Sequence, residues 1–128
     1  MQKFRMKKWC ELLQENIILE KSMLFSVRIV NLYKHLCSDR KEYIMSKQLL
    51  RCGTSIGANA HEAHNGQLNK DFLAKMYIAF KEASKTEYWL NLLMLTDYLS
   101  KEQGNSVLAD CVELKRILTA IIKTLKAT

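Results

Sequence analysis

The chain predicts an all-α fold, an antiparallel up-and-down four-helix bundle, and three observations carry that prediction. There is no proline and there are only four glycines in 128 residues, so little in the chain interrupts a helix. Apolar residues recur at alternating three- and four-residue steps through most of its length, the period of one face of a helix. Turn formers gather between these periodic stretches in short clusters, and short turns between successive helices force antiparallel packing. The length suits one domain with one core. Residues 1–15 are expected as a basic, aromatic N-terminal extension, and residues 16–128 as the bundle.

The extension places Phe4, Met6, Trp9, Leu12 and Leu13 among Lys3, Arg5, Lys7 and Lys8. The spacing permits a short amphipathic helix. Such a segment could dock on the bundle, fray as a tail, contact RNA or lie on a membrane surface. The first bundle helix is expected from about Ile17 to Cys37. It carries two apolar lines, Leu19–Met23–Val27–Val30–Cys37 and Phe25–Ile29–Leu32–Tyr33–Leu36. Together they span far more than the roughly 100° stripe that one bundle buries, which implies a second buried contact, most simply another subunit. Ser38-Asp39-Arg40-Lys41 reads as the following turn, with Asp39 as a cap.

The second helix is expected over residues 44–64. Met45, Leu49, Cys52, Ile56, Ala60 and Ala63 form its apolar stripe, and Gln48, Arg51, Ser55, Asn59 and Glu62 a polar stripe beside it. Gly53 and Gly57 each cost a helix roughly 1 kcal/mol relative to alanine. Two such glycines four apart point to a close helix–helix approach; a kink around Gly53-Thr54-Ser55 is the other reading. A turn near Asn65-Gly66-Gln67, with Asn69 as a possible cap, leads to a third helix from about Asp71 to Leu99. Its core stripe reads Met76, Phe80, Ala83, Glu87, Leu90 and Met94, with a carboxylate in the middle. A core carboxylate is costly unless paired, so Arg51 is expected in a buried polar network with Glu62, Glu82 and Glu87. The rival reading of these groups is an acid/base pair in a site. Gly104 reads as a helix stop and Asn105 or Ser106 as the next cap. The last helix repeats Val107, Cys111, Leu114, Leu118, Ile121 and Leu125, with Lys115, Arg116, Lys123 and Lys126 on its outer side.

Several residues in the middle of the chain carry a family resemblance. They are Gln48-Leu49-Leu50-Arg51-Cys52-Gly53-Thr54-Ser55-Ile56-Gly57-Ala58-Asn59, Glu62-Ala63, Asp71-Phe72, and the run from Ala79 through Lys81-Glu82-Ala83 and Glu87-Tyr88-Trp89 to Leu90. Together they resemble the bacterial four-helix-bundle family encoded in intervening sequences of large-subunit rRNA genes. The accessory variability determinant of diversity-generating retroelements is a relative of that family. The resemblance covers about Glu20 to the C-terminus. It implies an up-and-down bundle, a homopentamer and no known catalytic activity. For the accessory protein it implies binding to a reverse transcriptase and to nucleic acid. Cys52 stands where the pattern has serine, and His61 departs from the usual residue after Ala60.

The formal charge of +7 favours an acidic partner and is loaded at the ends. Residues 1–41 hold nine Lys/Arg against four Asp/Glu, and residues 115–128 hold four bases and no acid. Solvated helix faces explain scattered lysines, but explain this end-loading less well. Lys3, Arg5, Lys7, Lys8, Lys115, Arg116, Lys123 and Lys126 are therefore the candidate nucleic-acid contacts. Cys10, Cys37, Cys52 and Cys111 are scattered, with no two-residue-gap pair, which fits free thiols in a reducing cytoplasm. His61-Glu62-Ala63-His64 sets its histidines three apart, not the four of a zinc protease. No histidine follows a glutamate at the spacing of a di-iron bundle, so no metal or cofactor is expected. No apolar run reaches the roughly 18 residues that suggest a membrane span, and the N-terminus lacks the apolar core of a signal peptide. The expected function is non-enzymatic: a cytoplasmic, oligomeric bundle binding nucleic acid, most simply structured RNA. The alternative is an adaptor that docks a partner protein such as a reverse transcriptase.

Overall fold

The computed structural model describes residues 2–65 and 69–127, with side chains over 16–65 and 70–127. Four helices form: α1 Gln2–Ser38, α2 Met45–His64, α3 Asn69–Leu95 and α4 Lys101–Ala127. Successive helices pack together and α1 closes against α4, while among the described residues no Cα of α1 comes within 8 Å of one on α3, nor any of α2 of one on α4. This is the up-and-down bundle that the periodicity predicts. Helix α1 runs unbroken through residue 15, where the sequence offers no glycine or proline to end it.

One of the two apolar lines of α1 faces inward. Ile18, Phe25, Ile29, Leu32 and Leu36 are buried, whereas Met23 and Val27 are exposed. The α4 stripe is buried from Val107 to Ile121 as its spacing predicts. Helix α3 is rotated from its expected setting. Its buried stripe is Met76, Ala79, Ala83, Thr86, Leu90 and Leu93, and Phe80, Glu87 and Met94 flank it, half-buried. The small side chains on the inner line let α3 approach its neighbours closely. Thr86, fully buried, satisfies its hydroxyl on the Glu82 carbonyl at 2.8 Å.

The interior glycines mark close approaches. A Cβ on Gly53 would sit 2.8 Å from Cγ1 and 2.9 Å from Cγ2 of Ile29, and one on Gly57 would sit 3.2 Å from Ser22 Oγ. The α1–α2 seam thus requires glycine, and α2 continues without a break. Gly104 is not a helix stop. It lies buried inside α4, where a Cβ would collide with the Met94 thioether.

The helix ends also differ from expectation. Asp39 does not cap α2; it accepts from His35 Nδ1 at 2.8 Å at the end of α1. Glu42 caps α2 instead. Its Oε1 accepts the Ile44 and Met45 N–H groups at 3.0 and 2.9 Å, and its Oε2 accepts Ser46 N–H at 2.7 Å. Burial alone would raise the Glu42 pKa, but these hydrogen bonds outweigh it and hold the carboxyl below its ordinary value. Helix α3 stops at Leu95 rather than Leu99. Asp97 takes a left-handed conformation (φ 65°), and Tyr98 N–H returns to the Leu93 carbonyl at 2.9 Å, a Schellman-type end. Helix α4 then starts on a reciprocal cap, with Gln103 N–H donating to Ser100 Oγ at 3.1 Å and Ser100 N–H reaching Gln103 Oε1 at 3.5 Å.

Candidate nucleic-acid interface

The charges of α4 are sorted along its length. Its N-terminal half carries Glu102, Asp110 and Glu113 against the single base Lys101, and its C-terminal half only bases, Lys115, Arg116, Lys123 and Lys126. Two acids of the first half are engaged by α1. Lys21 pairs with Glu113, and Arg28 Nη1 lies 2.6 Å from Asp110 Oδ2. Arg28 also donates to Ser106, to Oγ at 2.9 Å and to the carbonyl at 3.3 Å.

These pairs mark the register of α1 against α4. Both helices rise 1.5 Å per residue. An equal number of residues back along α1 from Lys21 and forward along α4 from Glu113 sets Lys8 level with Lys126. The backbone therefore brings the two sequence-distant basic sets to one end of the bundle. The side chains of Lys3, Arg5, Lys7 and Lys8 lie outside the described residues.

The α4 set is not uniform. Arg116, Lys123 and Lys126 are exposed, and Lys126 Nζ stands 5.1 Å above the Tyr77 ring. Lys115 is half-buried, 2.8 Å from Glu87 Oε1 and 5.1 Å above the Phe80 ring. It closes the α3–α4 seam and offers phosphate less than its neighbours do. These aromatic partners could not be read from either helix alone, because each joins residues far apart in the sequence. Tyr88 stands well exposed, edge-on to Trp89 with ring centroids 5.2 Å apart.

The expected buried network does not form. Arg51 is exposed, and each carboxylate has a lysine instead: Glu62 with Lys75 at 3.0 Å, Glu82 with Lys85 at 3.1 Å and Glu87 with Lys115 at 2.8 Å. The physical reason is the rotation of α3. It puts Thr86 in the core and Glu87 at the seam, where water and a lysine relieve the desolvation that a buried guanidinium–carboxylate pair would suffer.

The buried thiols are poor candidates for chemistry. Burial, with help from the nearby Glu87, pushes Cys111 up to about 12, and burial raises Cys52; reactive cysteines need the opposite shift. Cys111 donates to the Ala83 carbonyl at 3.3 Å and so serves α3–α4 packing. His61 Nδ1 lies 2.8 Å from the Gly57 carbonyl. Among the described residues no group of three or more His, Cys, Asp or Glu converges on one point, and no helix is long and apolar enough to cross a membrane.

Comparison with known proteins is consistent with this architecture. The chain is similar to a crystal structure from Bacteroides thetaiotaomicron, described as a protein with unknown function from the S23 ribosomal protein family. The two share 52% identity at a TM-score of 0.85, over 86% of this chain and 98% of that one. No curated protein matches. The model of the 23S rRNA-intervening sequence protein family matches residues 14–120, and the chain belongs to that family.

Proposed function

We propose that this protein is a non-enzymatic, self-associating helical bundle of the cytoplasm that binds nucleic acid, most simply structured RNA, through its basic end. The observation that carries the reading is the sorting of charge. Two acids of α4 are engaged by Lys21 and Arg28 of α1, while Arg116, Lys123 and Lys126 face solvent at the end toward which α1 carries its own bases. Cations so placed suit phosphates, and the contact is led by shape and charge because an RNA duplex hides its base edges. Self-association multiplies such contacts into avidity; the resemblance implies five copies. A second reading, an adaptor docking a protein such as a reverse transcriptase, is favoured by the exposed Tyr88 and Leu95.

The test is a fluorescence titration against a structured RNA at two salt concentrations. Affinity is expected to fall steeply with salt. Replacing Arg116, Lys123 and Lys126 by glutamine is expected to weaken binding, to reduce the salt slope by about 2–3 and to leave the melting temperature unchanged. Lys115→Gln is expected to act more on stability than on binding. The same substitution of Lys3, Arg5, Lys7 and Lys8 tests the α1 set separately. Absence of binding near physiological salt would overturn the RNA reading in favour of the adaptor.

A further inference from the structure

The rotation of α3 moves Phe80 and Glu87 out of the core and onto the α3–α4 seam. They lie two turns apart on one face of α3. Val112, Lys115, Arg116 and Thr119 lie within two turns of α4 and face them. Together these six residues line a groove of about 410 Å³, a size that holds small ligands. Its apolar wall includes an aromatic ring, and its polar groups are a donor set beside an acceptor. Lys115 Nζ lies 2.8 Å from Glu87 Oε1 and 5.1 Å above the Phe80 ring. Both polar side chains keep part of their surface open, 26% for Lys115 and 27% for Glu87. Their mutual contact uses one carboxylate oxygen and leaves the other, and it leaves the ammonium further hydrogens to donate. Arg116 stands exposed at the rim, and the exposed cations continue from it along α4 to Lys123 and Lys126.

We propose that this groove receives an unpaired guanine of a structured RNA whose phosphates follow Arg116, Lys123 and Lys126. The inference rests on the nucleic-acid reading and adds a base-specific contact to it. A duplex hides its base edges, but a bulged or looped-out base offers both its face and its Watson–Crick edge. Proteins meet the face with an aromatic ring and the edge with polar side chains. Phe80 supplies the ring. Lys115 gives up its place above that ring, so one contact with the π face replaces another, and its flexible stem lets Nζ stay beside Glu87. The order of the polar atoms selects the base. A carboxylate only accepts and an ammonium only donates. Guanine presents two adjacent donors, N1–H and the 2-amino group, next to the acceptor O6. Glu87 matches the donors and Lys115 matches O6. Adenine and cytosine each place a ring acceptor beside their amino group, and uracil flanks its single donor with acceptors. Each of these would set an acceptor against the carboxylate, a mismatch that rejects it. Arg116 at the rim takes the phosphate of the entering nucleotide.

The test is a fluorescence titration of the full chain with hairpin RNAs that differ only in a single bulged guanine, adenine, cytosine or uracil, beside a fully paired hairpin. The bulged-guanine hairpin is expected to bind about tenfold more tightly than the others, the discrimination of one good two-point contact. Glu87→Gln is expected to remove the preference for guanine among the bulges. Phe80→Leu is expected to bring every bulged hairpin down to the affinity of the paired one. Circular dichroism checks that each variant is folded, and Glu87→Asp, which keeps the charge and shortens the reach, serves as the milder version. Replacing Arg116, Lys123 and Lys126 by glutamine is expected to weaken all the hairpins while guanine stays preferred. Equal binding of bulged and paired hairpins by the wild type would overturn the guanine groove and leave the basic end as an RNA site. A guanine preference that survives both Glu87→Gln and Phe80→Leu would overturn it as well. Displacement of the hairpin by an equal concentration of guanosine 5′-monophosphate would assign the groove to a free nucleotide and overturn the RNA contact. Failure of every hairpin to bind would overturn both readings.

Discussion

One methyl group is enough to probe the tightest contact between α1 and α2. Gly53 faces Ile29, whose branched side chain cannot swing away as an unbranched one would. Gly53→Ala gains about 1 kcal/mol in helix propensity but forces overpacking that costs about 1–3 kcal/mol, so a net loss of stability is expected. In an Ile29→Ala background the obstruction is gone, and the same substitution is expected to stabilise. Denaturant midpoints of the four proteins read the change of sign; destabilisation in both backgrounds would mean that the clash lies elsewhere. The interior glycines of α2 were legible in the sequence as a close approach because two of them shared one helical line. Gly104 was misread for the converse reason. A single glycine among polar residues looks like a helix stop, and only the opposing Met94 reveals a packing role. Arg51 was misplaced because its inferred position depended on that of Glu87, one step away from the true core line.

At the scale of the element, the cap of α2 gives a pH dependence with a definite sign. Glu42 is almost fully buried, and its folded-state pKa is lowered. Its contribution is therefore complete above the ordinary carboxylate pKa and is lost as the pH falls through the lower folded value. Glu42→Gln is expected to cost about 1–2 kcal/mol at neutral pH, and the difference from wild type is expected to shrink in acid. Urea unfolding of both proteins at neutral and acidic pH checks this; a gap that stays constant would remove the carboxylate from the account. Asp39 looked the better cap in the sequence because it sits in the turn. The backbone spends that residue on ending α1, and Lys41 in the left-handed region (φ 56°) turns the chain so that Glu42 meets the start of α2. The rotation of α3 was illegible for a related reason. Phe80 and Met94 outweigh Ala79 and Thr86 on any hydrophobic count, yet the small side chains fit the close inner line and the larger ones fill the seams. Where large apolar residues repeated without such competition, as on α4, spacing alone located the core.

Across the whole molecule, the α1–α4 seam differs from the other three in what must happen before it forms. α1 with α2, α2 with α3 and α3 with α4 are each neighbours in sequence, separated by a few residues, whereas Lys21 meets Glu113 and Arg28 meets Asp110 across nearly the length of the chain. Closing so long a segment spends conformational entropy before any contact is returned, and chains rich in local contacts fold fastest. The order of assembly follows: hairpins of neighbouring helices form first, and the first helix meets the last at the end. A truncation at the late seam, Leu114→Ala beside Phe25, is therefore expected to appear mainly as faster unfolding. One in the central pair of helices, Leu90→Ala on α3, is expected to appear mainly as slower folding. Stopped-flow folding and unfolding limbs separate the two, and equal partition of both losses would point to a nucleus that already joins the chain's two ends. The seam that closes the bundle is thus also the one that opens first when it unravels, parting α1 from α4 while the three pairs of neighbouring helices still hold together.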